Sequence, residues 1–567
     1  MSLFSAVEAG NVSEVKSLLP FTNPNLQNKD GNTPLMIAVR NDNIELVRLL
    51  LPVSDPNIQN NNGLNALMTA IYRGYLDIVK LLLEAGAKVN ISNKGGYTPL
   101  MYARDPNISE ILIWAGANLK NNEEKTVLSI AIAGKFNYKT IKLLLTYGAR
   151  PNFECLQEAI NQDNIPLIKL LLEYRFDISE VSSNSQMSLL MIATARGYSD
   201  IVQLLLPVSN PNIQDKYGNT ALMIAVDRGY LNIVQLLLPI SNPNIQDKYG
   251  NTALMIATAS GYLNIVRLLL PVSDPNFQNK YENTALMLAV DRGYPDIVQL
   301  LLPVSNPNIQ DKYGSTALMT ATASGYLDIV KLLLPVSNLN IQNEFGATAL
   351  IVAAGRKHPD IVQILLPVSD PNIQNSNGDT ALMIAVDKNN IEIVQLLLPV
   401  SDPNIQNEDG NTALMLAVDR EYSDIVQLLL PVSNTNIQDK YGSTALMLAV
   451  DRRNPDIVQL LLPVSDPNLQ NNNGDTALMI AVDRGYSNIV QLLLPVSNPN
   501  LQDNSGNTAL MIAVGNRYPD IVQLLIPVSD LNLKNNNEDT ALMIAVGNRY
   551  SDIVQLLLPF SNSNFSR

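Results

Sequence analysis

Residues 219–250 read NTALMIAVDRGYLNIVQLLLPISNPNIQDKYG, and almost the same 32 residues follow again and again. Thr220, Thr252, Thr284, Thr316, Thr348, Thr380, Thr412, Thr444, Thr476, Thr508 and Thr540 fall at strict 32-residue steps. A period of this length makes each copy one supersecondary unit, which cannot bury its apolar face alone and must stack on its neighbours. Following the Ala of the MIAV segment outward gives Ala6, Ala38, Ala70, Ala103, Ala131, Ala159 and Ala193, then one every 32 residues to Ala545, for 18 units. After Ala70 the spacings run 33, 28, 28 and 34, so residues 1–187 form an irregular block and 188–567 a uniform one.

Each unit reads as helix, helix, turn. Thr220 is suited to cap the first helix, and Pro34 and Pro99 follow the equivalent Thr at the first helical position, where a missing N–H costs nothing. Leu222, Met223, Ala225 and Val226 give an apolar face, and Gly229 is placed to end the helix. A second helix starts near Tyr230, with Pro295, Pro359, Pro455 and Pro519 one residue past the equivalent of that Tyr. Asp200, Asp296, Asp328 and Asp360 lie in the same first turn, where the helix dipole favours a carboxylate. Ile233, Val234 and Leu236 to Leu238 form the expected buried face, and Pro239 is expected to stop the helix. Asp215 to Gly218, DKYG, carries Asp first and Gly fourth, the signature of a type I turn at the tip of a short hairpin.

Composition narrows the chemistry. The chain has 567 residues, 46% hydrophobic and 16% charged, which is enough apolar material for a large core. One His and one Cys exclude a Cys/His zinc site, a disulfide framework, a Cys–His dyad and a multi-His metal centre. A formal charge of −14 offers no sequence-wide attraction to nucleic acid or to an anionic membrane. No apolar run reaches the roughly 18 residues of a membrane span, and MSLFSAVEAGNVSEVKSLLP lacks a charged leader followed by an apolar stretch. The chain reads as acidic, soluble and cytoplasmic. No phosphate-cradling Gly loop, nucleophile elbow or singular carboxylate pair is present, so no catalytic residue, metal or cofactor is expected.

The unit resembles the ankyrin repeat. Asp215, Gly218, Thr220, Leu222, Ala225, Gly229, Ile233, Val234, Leu236, Leu237 and Asn212 match that pattern position by position, and the resemblance covers essentially the whole chain. It implies an all-α solenoid of about 18 helix-turn-helix units with short β-hairpin or turn fingers. The His of the family's Thr-Pro-Leu-His segment is replaced by Met, so the polar Thr–His bonding usual between such repeats is expected to be missing. The Gly-Ala turn after helix two survives only near Gly86, Gly116 and Gly148, with PVS replacing it elsewhere. Near-identical, Asn-rich units are similar to the long ankyrin arrays of amoeba-infecting giant viruses and some intracellular bacteria, which implies a host-cytoplasm location.

Fourteen of the 16 Met occupy the slot after the helix-one Leu, from Met36 to Met543, either as a soft binding surface or, the reading we favour, as seam filler where the family has His. The Tyr230 column, with His358 as one variant, reads as packing at the joint between helices. The Asn column from Asn25 and Asn57 through Asn212 and Asn244 to Asn532 reads as a structural ladder bonding loop backbone. Cys155, where a hairpin is missing, reads as a small buried residue rather than a nucleophile, with no His in the first 357 residues to activate it.

Ankyrin proteins bind partners through fingertips and the exposed end of helix one, which the resemblance maps onto Lys216, Tyr217, Asn219, Asp227 and Arg228. Tyr217, Tyr249, Tyr281, Tyr313 and Phe345 put an aromatic on five consecutive tips, either as interface hot spots or as an inheritance of recent duplication. The expected function is a non-catalytic scaffold binding protein partners on the concave face. The alternative is a self-assembling structural component. The first unit carries polar swaps at core positions, Ser5, Glu14 and Ser17 against Ile37, Leu46 and Leu49, as a capping repeat should. The eighteenth keeps its apolar set, so Ile553, Leu557, Phe560 and Phe565 are expected to mediate a weak two-fold homodimer in preference to coverage by the tail.

Overall fold

A computed structural model describes residues 2–120, 126–174 and 178–560. By packing, the chain divides into two compact units, Met1–Ala257 and Thr258–Arg567. Among the described residues there are 35 α-helices and no β-strand; one isolated antiparallel bridge pairs Lys120 with Thr126. The all-α helix-turn-helix repeat is therefore the observed architecture.

In the first unit, the copy quoted above shows how the residues make the element. Thr220 caps the helix Ala221–Asp227: its hydroxyl accepts from the Met223 N–H at 3.3 Å, and its own N–H donates to the Met223 sulfur at 3.5 Å. This is a capping box in which a thioether stands where Glu or Gln usually does. Leu222, Met223, Ala225 and Val226 are all essentially buried, as the Met seam requires. The second helix runs Leu231–Leu237, burying Ile233, Val234 and Leu237, whereas Leu236 and Leu238 are only half-buried. Pro239 lies two residues past the end of that α-helix, as expected. It sits inside a 3-10 turn, Leu238–Ile240, whose first positions need no N–H from it.

In the second unit the same reading holds copy after copy, with first helices packing on first helices and second on second. Pro295, Pro359, Pro455 and Pro519 open their helices at the first position, as their spacing predicts. Tyr at the cap of a second helix makes no side-chain cap bond, but Asn390 and Asn454 in that column accept from Ile393 and Ile457 N–H, both at 3.1 Å. The Tyr itself packs backward: a Cβ on Gly261, Gly293 or Gly485 would stand 3.0 Å from the ring of the Tyr one repeat on.

Of the two forms expected for the fingers, hairpin or turn, the structure shows the turn. Asp215 N–H bonds Asn219 carbonyl and Gly218 N–H bonds Asp215 carbonyl, both at 2.9 Å, so a single turn closes with no strand ladder beyond it. The next tip supplies the missing partner: Lys248 N–H donates to Tyr217 carbonyl at 2.9 Å. Gly218 has φ +82, and a Cβ there would meet Lys248 N at 2.7 Å, so close stacking of tips and the left-handed turn both call for glycine. Glu282 occupies that column with φ +62, and its following tip bond, Lys312 N–H to Tyr281 carbonyl, is longer at 3.2 Å.

The irregular copies have identifiable causes. In the fourth, the first helix shrinks to one 3-10 turn, Pro99–Tyr102, before Pro106–Trp114 begins. Between Tyr138–Thr146 and Phe153–Asn161 the finger is absent, as the short spacing predicts. At the N-terminal end, Ser5 and Ser17 are exposed and Glu14 is half-buried, whereas Leu46 is fully buried.

Where Gly would end the first helix, several copies carry Lys357, Asn389, Glu421, Arg453, Arg517 and Arg549, every one at φ between 51 and 65. A left-handed conformation costs an L-residue about 1–2 kcal/mol. Lys357→Gly should therefore raise the urea midpoint of the surrounding copies by the equivalent of about 1 kcal/mol. The reverse change, Gly325→Ala, should lower it by at least as much, because the new Cβ would lie 2.8 Å from His358 Cε1. Equal midpoints for both variants and the parent would contradict this account.

Candidate functional site

The fingertips are positioned by hydrogen bonds that run from copy to copy. Asn212 Oδ1 accepts from Asn242 N–H at 2.8 Å in the first unit, and Asn276, Asn308, Asn372, Asn404 and Asn436 accept likewise in the second, each from the residue 30 positions on. The Asn column is thus a ladder, as its recurrence predicts. A Gln column that sequence reasoning missed forms a second: Gln310 Nε2 donates to Gly314 carbonyl within its own finger and to Gln342 carbonyl 32 residues ahead at 3.0 Å. Its recurrence at Gln214, Gln310, Gln342, Gln374, Gln406, Gln438, Gln470 and Gln502 was the available signal. At each tip an Asp or Asn side chain folds the turn; Asp311 Oδ1, for example, accepts from Tyr313 N–H at 2.8 Å and Ser315 N–H at 2.9 Å.

On this frame the aromatic tips stand out into solvent. In the first unit Tyr217 and Tyr249 are 54% and 58% exposed, and Lys216 Nζ lies 5.1 Å from the Tyr217 ring centroid. In the second, Tyr281, Tyr313 and Phe345 are 51–67% exposed. Lys312 sits between two of them, 5.1 Å from the Tyr281 centroid and 4.6 Å from that of Tyr313. Such cation–π contacts hold the rings upright without covering them.

At the end of the first helix Asp227 and Arg228 are exposed. Their counterparts in the second unit pair across copies: Arg420 with Asp387 at 3.0 Å, Arg484 with Asp451 at 2.9 Å, and Arg452 with Asp419. Exposed pairs of this kind contribute about 0–1 kcal/mol, so their role is to fix side-chain direction.

A groove of about 760 Å³ in the second unit lies between tips and first helices, with Met447, Ile480 and Met511 on its floor and Asp451, Asp475, Asp483 and Asp503 around it. Burial raises the Asp475 carboxyl above its usual range, offset in part by the Asn471 amide. Sequence reasoning missed this groove, because it arises only where fingers and helices of several copies face one another.

The residues expected to self-associate are divided by the structure. Ile553 and Leu557 are fully buried in the last helix pair, Phe560 is 62% exposed, and Phe565 lies outside the described residues. Met543 and Val546 are exposed, although their counterparts Met511 and Val514 are buried. Cys155 is free and fully buried at the start of Phe153–Asn161, where Asn152 Oδ1 accepts its N–H. Among the described residues no cluster of His, Cys, Asp and Glu could hold a metal ion, and no helix is long and apolar enough to cross a membrane.

A family model described as ankyrin repeats in three copies matches the chain in overlapping stretches, from 3–93, 53–122 and 128–210 through to 454–535 and 495–566. A search of curated proteins found no match.

Burial pushes the Cys155 thiol up from its ordinary 9 to about 11. The thiol should therefore resist alkylation at neutral pH and become reactive only as its copies open in urea. Because the folded value lies above the unfolded one, the stability linked to Cys155 is fully present below pH 9 and is lost as pH rises toward about 11. Cys155→Ala should remove that alkaline loss, and rapid alkylation of the folded chain would refute the assignment.

Proposed function

The chain belongs to the ankyrin-repeat family, and we propose that it is a non-catalytic scaffold that docks protein partners on the concave face of its array through the fingertips and the ends of the first helices. Ankyrin repeats are protein–protein interaction modules, typically without catalysis of their own. What turns this general reading into a particular one is the row of aromatic tips. The Val of the PVS segment is also exposed in register, as at Val272, Val304 and Val336, but the tips add a row of aromatic rings: Tyr281, Tyr313 and Phe345 are more than half exposed, with Lys312 between two of the rings.

Rigid aromatics held out by a repeating frame suit hot-spot contacts, since they offer large contact area with little rotamer entropy to lose. In the first unit Lys216, Tyr217, Asp227, Arg228 and Tyr249 fill the same role. The Asp–Arg pairs at 387–484 favour a polar rim around the aromatic contacts.

Replacing Tyr217, Tyr249, Tyr281 and Tyr313 together with Ser should abolish capture of the partner while leaving the helical signal and the urea midpoint unchanged, because these tips bury little on folding. The partner is defined here as whatever the parent chain retains from a lysate in stoichiometric amount. Undiminished retention by the quadruple variant would remove the tips from the interface.

A further inference from the structure

One pocket in the first unit breaks the repeat. It encloses about 370 Å³ between the second, third and fourth copies, with Met36 and Met68 on its floor, Tyr72 and Tyr102 at its wall, and Arg40 and Arg73 at its rim. Tyr102 stands in the column of Ile37 and Ile224, and Tyr72 in that of Asp227. The shrunken turn Pro99–Tyr102 carries Tyr102 to its place. There its ring meets Tyr72 edge-on at 6.2 Å and Tyr97 at 5.8 Å, and its hydroxyl accepts from Asn93 Nδ2 at 2.7 Å.

The charges are the informative part. Arg40 and Arg73 are 33 residues apart and occupy the same two columns as Asp387 and Arg420, or Asp451 and Arg484. In the second unit that register brings a carboxylate and a guanidinium to 2.9–3.0 Å. In the first it sets two guanidiniums at neighbouring positions, and among the described residues neither guanidinium has an ion pair or hydrogen bond. No Asp or Glu lines the pocket, although the chain as a whole carries a charge of −14. Two like charges in a register built for opposite ones lack a counter-charge that a ligand can bring.

We propose that this pocket docks an acidic peptide segment of a partner, its carboxylates held by Arg40 and Arg73 and one apolar side chain seated on Met36 and Met68 beside Tyr72 and Tyr102. The apolar floor and exposed ring favour a side chain over a bare anion: Tyr72 is 71% exposed and can close over an aromatic or aliphatic anchor. The site rests on the scaffold reading in using the ends of the first helices, the columns of Asp227 and Arg228, but it does not depend on the aromatic fingertips.

The test uses the full chain and a fluorescein-labelled peptide with one Phe flanked on both sides by Glu and Asp, read by fluorescence anisotropy. The parent should bind it, more weakly as salt rises from about 50 to about 500 mM, and should not bind a version with Lys in place of the acids. Arg40→Asp recreates the Asp–Arg register of the second unit and Tyr102→Ile restores the repeat, so both variants should stay folded. Each should weaken binding roughly tenfold or more, whereas the quadruple fingertip variant should bind as the parent does. Four results would overturn the proposal: no binding by the folded parent, undiminished binding by Arg40→Asp, equal binding of the Lys peptide, or equal binding of a peptide with Ser for Phe. Displacement by inorganic phosphate alone at concentrations comparable to the peptide would likewise reduce the site to a simple anion cradle and overturn it.

Discussion

Backbone N–H groups in the fingers have no helix or sheet to satisfy them, and the Asn one repeat earlier supplies their acceptor. The rest of the structure depends on that bond. About half of each uniform copy lies outside helices, and a typical intramolecular hydrogen bond contributes about 0.5–1.5 kcal/mol, so the chain gains by finding partners of its own. Here it finds them along the array. The Asn bond, the Gln bond and the tip-to-tip backbone bond span 30, 32 and 31 residues in the uniform copies, for example Asn404 to Asn434, Gln406 to Gln438 and Asp409 to Lys440. All three can be made together only if consecutive copies keep one translation. The Asn bond nevertheless survives where the period breaks, spanning 31 residues from Asn57 to Lys88 and 28 from Asn90 to Asn118. Insertions and deletions fall within the segments between those partners, and the contact itself moves with the copy.

The Met column shows how a substitution at one level is absorbed at another. A His in that slot would offer polar atoms; Met offers none strong enough to bridge copies. Its sulfur instead turns inward to the cap, accepting the Thr N–H at 3.5 Å in the copies at Thr220, Thr284, Thr412, Thr444 and Thr476. A sulfur acceptor is weak. Its advantage is that the same side chain fills the seam with apolar volume, which a Glu at that position would not do. Polar cohesion between copies is then carried by the fingers and apolar cohesion by the helices, which is why the fingers need both an Asn and a Gln column.

Most of the fold was legible in the sequence because its determinants are local and repeated. Thr at the cap, Pro295 or Pro359 at the first helical position, and Gly229 at φ +69 each act within a few residues of themselves, and eighteen copies make such signals unmistakable. The Gln ladder was less legible, since a Gln in a loop has no local signature and its second acceptor is 32 residues away. The α-helix ends ahead of Pro239 as its position predicts, but the 3-10 turn that follows was not legible, because Pro is compatible with the opening of a tighter helix as well as with the end of an α-helix. For the candidate sites the contrast is sharper. Exposed tips such as Tyr313 follow from being in a turn, but the 760 Å³ acidic groove and the Arg40–Arg73 pair exist only as relations between copies.

That distinction decides where specificity can reside in such a chain. A column that repeats presents the same chemistry at every step, so by itself it cannot tell one register of a bound partner from the next. Asp and Arg at the ends of the first helices satisfy one another from copy to copy and so remove themselves from that task. Register must be set where a column is broken: at the change from Phe345 to Asn377 along the tips, at Glu282 in place of the tip glycine, at Arg40 and Tyr72 in a column that is mostly Asp, Ala or Gly, and at Tyr102 in one that is mostly aliphatic. The uniform copies supply area and a rigid ruler, and the departures supply its marks. On this argument the irregular first block contributes marks of its own: around Tyr72 it brings unpaired charge, an exposed ring and an apolar floor together.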